Sequence, residues 1–267
     1  MRKKSLLLLI LLVTLFVVSC SSKKQYEEPH FIHYNTSFYA EKESDYTLVL
    51  NYLINKNSND YLVPSEVESI RFKDAKNVEI KKFNFFDSES SKVYKVKNIE
   101  LNLHFTNLGK ENLTELEITF KDKSSKSYKI GNWFFNVESK DSLDKSPIEM
   151  GEDYAIVSAV FDGYLINLKN MSGGNATIND LLINLKEVQI DKPSALEFDS
   201  SGNVKIKIPA TIGDRSYKFY IIRPKVMYTY KGQKHSYFPY ASLYGVINVT
   251  DADFENEYKK TKTRTLQ

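Results

Sequence analysis

An all-β fold is what the sequence predicts, on three observations. From about residue 30 to about residue 250, apolar and polar residues alternate with a period of two, and β-branched and aromatic residues are enriched. Windows with helical periodicity are nearly missing. Clusters of Asn, Asp, Ser and Gly interrupt the alternation at short intervals, as turns do. Together these give about a dozen short strands, a spacing that points to sandwiches or barrels. The expectation is one or two immunoglobulin-like β-sandwich modules.

The strands follow in order. Segments 31–40 and 46–55 come first and are separated from 66–73 by the polar loop NKNSND (55–60). Segments 77–86, 92–106, 113–121 and 126–137 follow. In the last, Trp133, Phe134 and Phe135 are consecutive, so one ring must face away from the other two. The polar stretch SKDSLDKSPIEMGED (139–153), with its Pro and Gly, is the best boundary, with a cut near 145. Beyond it lie 153–161, 163–169, 177–190, 203–209, 217–231 and 236–249. The expected organisation is a signal segment 1–19, a flexible tether 20–29, modules 30–145 and 146–250, and a polar tail 251–267. The tail is acidic first and basic last, which suits either a short helix from Asp251 or a frayed end.

One internal match supports the pattern. LNLHFTNLGKENLTELEITF (101–120) aligns without gaps with INLKNMSGGNATINDLLINL (166–185). In the first copy Leu101, Leu103, Phe105, Leu116, Ile118 and Phe120 should share one core, contributing roughly 9–18 kcal/mol before entropy is subtracted. The offset of 65 residues is shorter than the roughly 100 of an immunoglobulin-type domain. Recurrence of one strand–loop–strand solution and true duplication both fit.

The N-terminus carries the clearest chemistry. Arg2, Lys3 and Lys4 precede the apolar stretch from Leu6 to Val18, too short to span a bilayer core of about 30 Å and laid out as an export signal. Val17-Val18-Ser19-Cys20 resembles the lipobox of bacterial lipoproteins. The resemblance covers about residues 1–22. It implies cleavage between Ser19 and Cys20, lipid on the Cys20 sulfur, and an extracytoplasmic protein anchored to a bacterial membrane. Two acyl chains would hold it durably, at about 0.8 kcal/mol per buried methylene.

Composition narrows the rest. Cys20 is the only cysteine, so an internal disulfide is excluded and stability must come from packing. Arg2, Lys3 and Lys4 would leave with the signal, which takes 37 basic residues to 34 against 34 acidic ones. That balance argues against nucleic acid as a partner. No Gly-x-Ser-x-Gly elbow, phosphate-binding loop, His-Glu-x-x-His or dinucleotide fingerprint occurs. No cofactor, metal site or catalytic residue is expected. His30 and His33 would lie on opposite faces of a strand and are read as solvated, as is His104. The row Asp251, Asp253, Glu255 and Glu257 fails the EF-hand pattern at its sixth and twelfth positions, Asn256 and Lys262.

The expected contact surface is the aromatic hairpin YTYKGQKHSYFPYASLY (228–244), with Tyr228, Tyr230, Tyr237, Phe238, Tyr240 and Tyr244 around a turn at Lys231-Gly232-Gln233. The function that fits is a non-catalytic binding or assembly module of the cell envelope, its partner a protein or envelope polymer. The rival is a carbohydrate hydrolase with a carboxylate pair that sequence cannot reveal.

Overall fold

The computed structural model describes residues 26–141, 146–151, 157–158, 164–171, 174–186, 188–190, 196–198, 203–208, 210–212, 218–245, 252, 255–256 and 258–259. Ser19, Cys20 and the expected signal segment lie outside the described residues. Most of the described residues are in strands. Among the described residues no helix is long and apolar enough to cross a membrane.

The first half of the chain forms β1 (Tyr26–Glu27), β2 (His30–Phe31), β3 (Tyr34–Glu41), β4 (Asp45–Asn55), β5 (Asn59–Asp60), β6 (Val67–Phe72), β7 (Val78–Ser90), β8 (Tyr94–Phe105), β9 (Gly109–Phe120) and β10 (Ser125–Glu138). One sheet has the order β2-β4-β8-β7, and β3-β10-β9-β6 belong to the other. Within these two groups the pairs are antiparallel except β3 with β10. If β2 and β3 are taken as one split first strand, the first, second, fifth and fourth strands share a sheet, facing the third, sixth and seventh. That is the immunoglobulin order.

The core between these sheets is aromatic. Trp133 lies 5.8 Å from Tyr34 and 5.7 Å from Phe72, centroid to centroid, and Phe38 is 5.7 Å from both Phe105 and Phe135. Leu101, Leu103, Phe105, Leu116, Ile118 and Phe120 are all buried in it, as the alternation requires. The three consecutive aromatics divide as expected: Trp133 and Phe135 are buried and Phe134 is half-buried on the opposite face. The alternation survives a register shift between Lys129 and Trp133, where Gly131 sits at φ +100°. A Cβ there would lie 2.1 Å from the Tyr34 carbonyl oxygen. Only glycine lets β3 approach β10 at this point.

The second half forms β11 (Ile148–Met150), β12 (Val157–Ser158), β13 (Tyr164–Asn170), β14 (Ala176–Leu182), β15 (Val188–Ile190), β16 (Leu196–Phe198), β17 (Asn203–Ile208), β18 (Ala210–Ile212), β19 (Phe219–Arg223), β20 (Lys225–Tyr230), β21 (Gln233–Tyr237) and β22 (Ser242–Tyr244). Sheets β11-β13-β17 and β16-β14-β20-β21 again give immunoglobulin order, with β16 as an added edge strand. This topology explains the internal match. Its first copy is β8–β9, the fifth and sixth strands of the first sandwich. Its second is β13–β14, the second and third strands of the other. In both, the chain leaves one sheet and enters the opposite one, so the same burial pattern recurs at non-equivalent places. Leu103 and Leu168 are both buried, as are Leu116 and Leu181.

One sheet joins the two halves of the chain. β12-β22-β19 extend the first sandwich past β3, making seven strands that come from both sides of residue 145. Residues 142–145, where the boundary was expected, are outside the described residues. β19 runs parallel to β3, with Phe219 opposite Tyr34 and Ile222 opposite Ser37. Phe219 and Ile221 enter the first core, while Tyr220 and Ile222 enter the second. The expected strand 217–231 is divided at Pro224, which has no N–H to continue a ladder.

Two expectations need correction. The tether was to remain unpatterned to residue 29, yet Tyr26 and Glu27 already pair with β5, and Glu28 accepts a hydrogen bond from the Tyr128 hydroxyl at 2.9 Å. His30 and His33 were to be solvated; both are buried. The reason for His30 lies in the tail. Ala252, Glu255, Asn256, Tyr258 and Lys259 are helical, and the Tyr258 ring packs 4.5 Å from both His30 and Tyr94 while its hydroxyl donates to Glu27.

Gly131→Ala should destabilise the protein by about 3 kcal/mol or more, read from urea unfolding. Ile222→Ala should cost about 2–5 kcal/mol. Although Ile222 faces the second core, the lowered midpoint should appear in the fluorescence of Trp133, the only tryptophan and a first-core residue. An unchanged Trp133 transition would mean that the sandwiches unfold independently.

Candidate binding cleft

A cleft of about 370 Å³ opens at the end of the first sandwich where the described chain begins. Three pieces build it. β1 pairs in parallel with β5, placing Tyr26 opposite Asn59 and Glu27 opposite Asp60. The segment Leu62 to Pro64 forms a second wall, and Phe85, Phe86, Asp87, Lys97 and Asn98 of β7 and β8 form the third. A register shift between Ile80 and Lys82 sets the third wall. It changes the parity of β7, so that Phe83 and Phe85 pack toward the core and Phe86 turns the other way.

Asp60 is held by two donors. The Tyr52 hydroxyl reaches Oδ2 at 2.7 Å, and the Leu62 N–H reaches Oδ1 at 2.9 Å, an Asx turn. Burial pushes the Asp60 carboxyl above its usual range, only partly offset by these two bonds, and burial likewise raises the Tyr52 hydroxyl. Lys97 pairs with the exposed Asp87 at 2.5 Å. Asn98, only 4% exposed, accepts from the Asn51 side chain, which in turn accepts from the Tyr34 hydroxyl. This chain of bonds ties one wall of the cleft to the aromatic core. Tyr26 and Phe86, 61% and 41% exposed, are its apolar rims.

A smaller pocket of about 190 Å³ lies beside the shared sheet, bordered by Glu41, Asp141, Arg223, Tyr228 and Phe238 among others. There Asp141 holds His235 Nδ1 at 2.9 Å and accepts the Ser236 N–H at 2.7 Å. The Arg223 guanidinium lies 4.6 Å above the Tyr46 ring and donates to the Pro239 carbonyl at 2.8 Å. These contacts staple the two halves together, and the volume is below that of ordinary ligand sites.

The aromatic hairpin is mostly not a surface. Its turn is as expected: Lys231 and Gly232 both have positive φ, +50° and +74°, as a two-residue hairpin loop requires. But Tyr228, Phe238 and Tyr244 are buried, and Tyr230 and Tyr237 are half-buried. Burial raises the Tyr237 hydroxyl to about 12. Tyr240 alone is largely open, at 55%. The physical reason is that β20 sits between β14 and β21, so its alternate tyrosines point into the second core. His104 is held by Asp45 at 2.7 Å. Glu255 pairs with Lys259, while Asp251, Asp253 and Glu257 lie outside the described residues. Among the described residues no three His, Cys, Asp or Glu side chains gather as a metal site would require.

Sequence reading missed the cleft altogether. Asp60 was assigned to a solvated loop and Tyr26 to the tether, and neither Tyr52 nor Phe86 stood out from ordinary strand residues. The one available signal was the parity change in VEIKKFNFF, where apolar positions pass from Ile80 to Phe83 and Phe85.

No protein-family model matches the chain, and no curated protein matches it. Among solved structures it is similar to a protein of unknown function from Porphyromonas gingivalis W83, at 10% identity over 80% of this chain and 96% of that one, with a TM-score of 0.26. It is also similar to the D00-D0 domain of Intimin, at 8% identity over 78% and 95%, TM-score 0.23. A third is DIP-gamma IG1+IG2, at 8% identity over 80% and 96%, TM-score 0.21. At such scores the fold assignment rests on the strand pairing itself.

Because Asp60 is raised in the folded protein, the folded state holds this proton more tightly than the unfolded chain does. Stability should therefore fall as pH rises from the unfolded value of about 3.9 toward the raised one, and level off above it. Asp60→Asn should remove that slope. Urea midpoints of both proteins measured across the acidic range test this, and parallel curves would refute it.

Proposed function

We propose that the protein is a lipid-anchored, extracytoplasmic binding or assembly module of a bacterial cell envelope, with no catalytic centre of its own. The membrane is engaged through lipid on Cys20, and the partner is a protein or envelope polymer. The observation that carries this reading is the position of the cleft. Its rim residue Tyr26 is the sixth residue after Cys20, so the cleft works within about 20 Å of the anchor even with the intervening chain extended. The lipobox resemblance and the near-zero charge after signal removal point the same way.

One observation favours a second reading. Asp60 and Asp87 border the same cleft, and Asp60 is raised as a proton donor must be. A glycoside hydrolase needs such a carboxyl pair. Asp87, however, is exposed and ion-paired with Lys97, which suits a general base or nucleophile poorly.

Cys20→Ala should abolish labelling with radioactive palmitate and shift the protein from the membrane to the soluble fraction. Persistent label, or membrane retention at the wild-type level, refutes the anchor. New reducing ends released from envelope polysaccharide, and lost in Asp60→Asn, would replace the binding reading with the hydrolytic one.

A further inference from the structure

We infer that the cleft at β1, β5, β7 and β8 is a subsite for a neutral sugar ring, so that the polymer engaged near the membrane is a glycan. This rests on the binding reading above and names its ligand class. The argument is a census of what the cleft offers. Ionised Asp60 only accepts: of its roughly four lone-pair sites, two are taken by Tyr52 and Leu62. Asn98 uses its oxygen for Asn51, which leaves the donor end of its amide for the cleft it lines. Lys97 is a second donor, paired with Asp87. The exposed rings of Tyr26 and Phe86 line the same cleft.

Other ligand classes fail this census. An ammonium or guanidinium only donates, which would serve Asp60 but offer the Asn98 amide no acceptor. A carboxylate or phosphate brings negative charge, and would face both Asp60 and Asp87. A wholly apolar ligand would desolvate Asp60 and Asn98 with no return, at a cost of about 1–3 kcal/mol for each unpaired polar group. A pyranose meets every group. Its hydroxyls both donate and accept around the ring edge, and its C–H faces lie against aromatic rings. The volume falls within the roughly 300–1,000 Å³ of small-molecule sites.

The test uses the full-length protein in detergent, with maltotriose, cellotriose and chitotriose as neutral probes and lysine amide and inorganic phosphate as charged ones. Saturation-transfer NMR and calorimetry read the binding. At least one trisaccharide should bind with a dissociation constant of roughly a millimolar or tighter. Phe86→Ala and Asp60→Asn should each weaken it about tenfold or more, and Tyr240→Ala, at the other exposed ring, should leave it unchanged. The inference is overturned if none of the three binds, if binding survives both cleft substitutions, or if a charged probe binds the cleft in their place. Running the same titration on Cys20→Ala separates the two claims: a wrong anchor changes membrane partition and leaves glycan affinity intact. Cleavage of a bound trisaccharide would overturn the non-catalytic reading and keep the ligand class.

Discussion

The structure depends on two strands that have no solvent face. β3 and β19 lie side by side in parallel, and residues Tyr34 to Ala40 and Phe219 to Ile222 are all buried. Parallel pairing suits such a position, because strands covered on both sides need no polar face. β19 meets this with an unbroken apolar run, Phe-Tyr-Ile-Ile. β3 meets it differently: Tyr34, Phe38 and Ala40 serve the first core, while Asn35 and Ser37 find hydrogen bonds on the other side, from Asn132 at 2.9 Å and from the Asn184 N–H at 2.8 Å. Each polar group is satisfied, so burial costs little. Without this pair the chain would be two sandwiches on a linker. With it, the first core takes Phe219, Ile221 and Ala241 from the second half of the sequence, and the same β19 sends Tyr220 and Ile222 into the second core.

Most strands were legible because one face of each is wet. Alternation located β4, β6, β8, β9 and β10 to within a few residues, and it sorted Trp133, Phe134 and Phe135 correctly. It failed where both faces are dry. Nothing in FYIIR distinguishes a strand shared by two cores from one inside a single core, and the boundary expected near residue 145 took no account of a strand that returns to the first sheet 75 residues later. The aromatic hairpin failed for the same reason. A tyrosine on a half-buried face and one in a core are written identically, and only the flanking strands β14 and β21 decide between them.

The cleft was beyond reach on other grounds. Tyr26, Tyr52, Asp60, Phe86 and Asn98 are brought together by five separate elements, and no two stand at a spacing that chemistry recognises. What makes Asp60 unusual is its depth, which an Asn-, Ser- and Asp-rich loop does not advertise. The parity change in β7 was the single local clue, and it says only that Phe86 faces away from its aromatic neighbours. By contrast the lipobox resemblance at Cys20 needs only eight residues, because chemistry of that kind would act on the chain before it folds.

The ends of the described chain meet at one corner: Glu27 accepts from Tyr258, which packs edge-on against His30 and tilted against Tyr94. That placement has a mechanical consequence. Tension between a membrane anchor and anything held at Tyr26, Asp60 and Phe86 would run through β1, β5 and the rim of one sandwich over a few residues. The second sandwich lies off that line. It would carry none of the force, and could present its own surface at a steady angle while the near end is pulled.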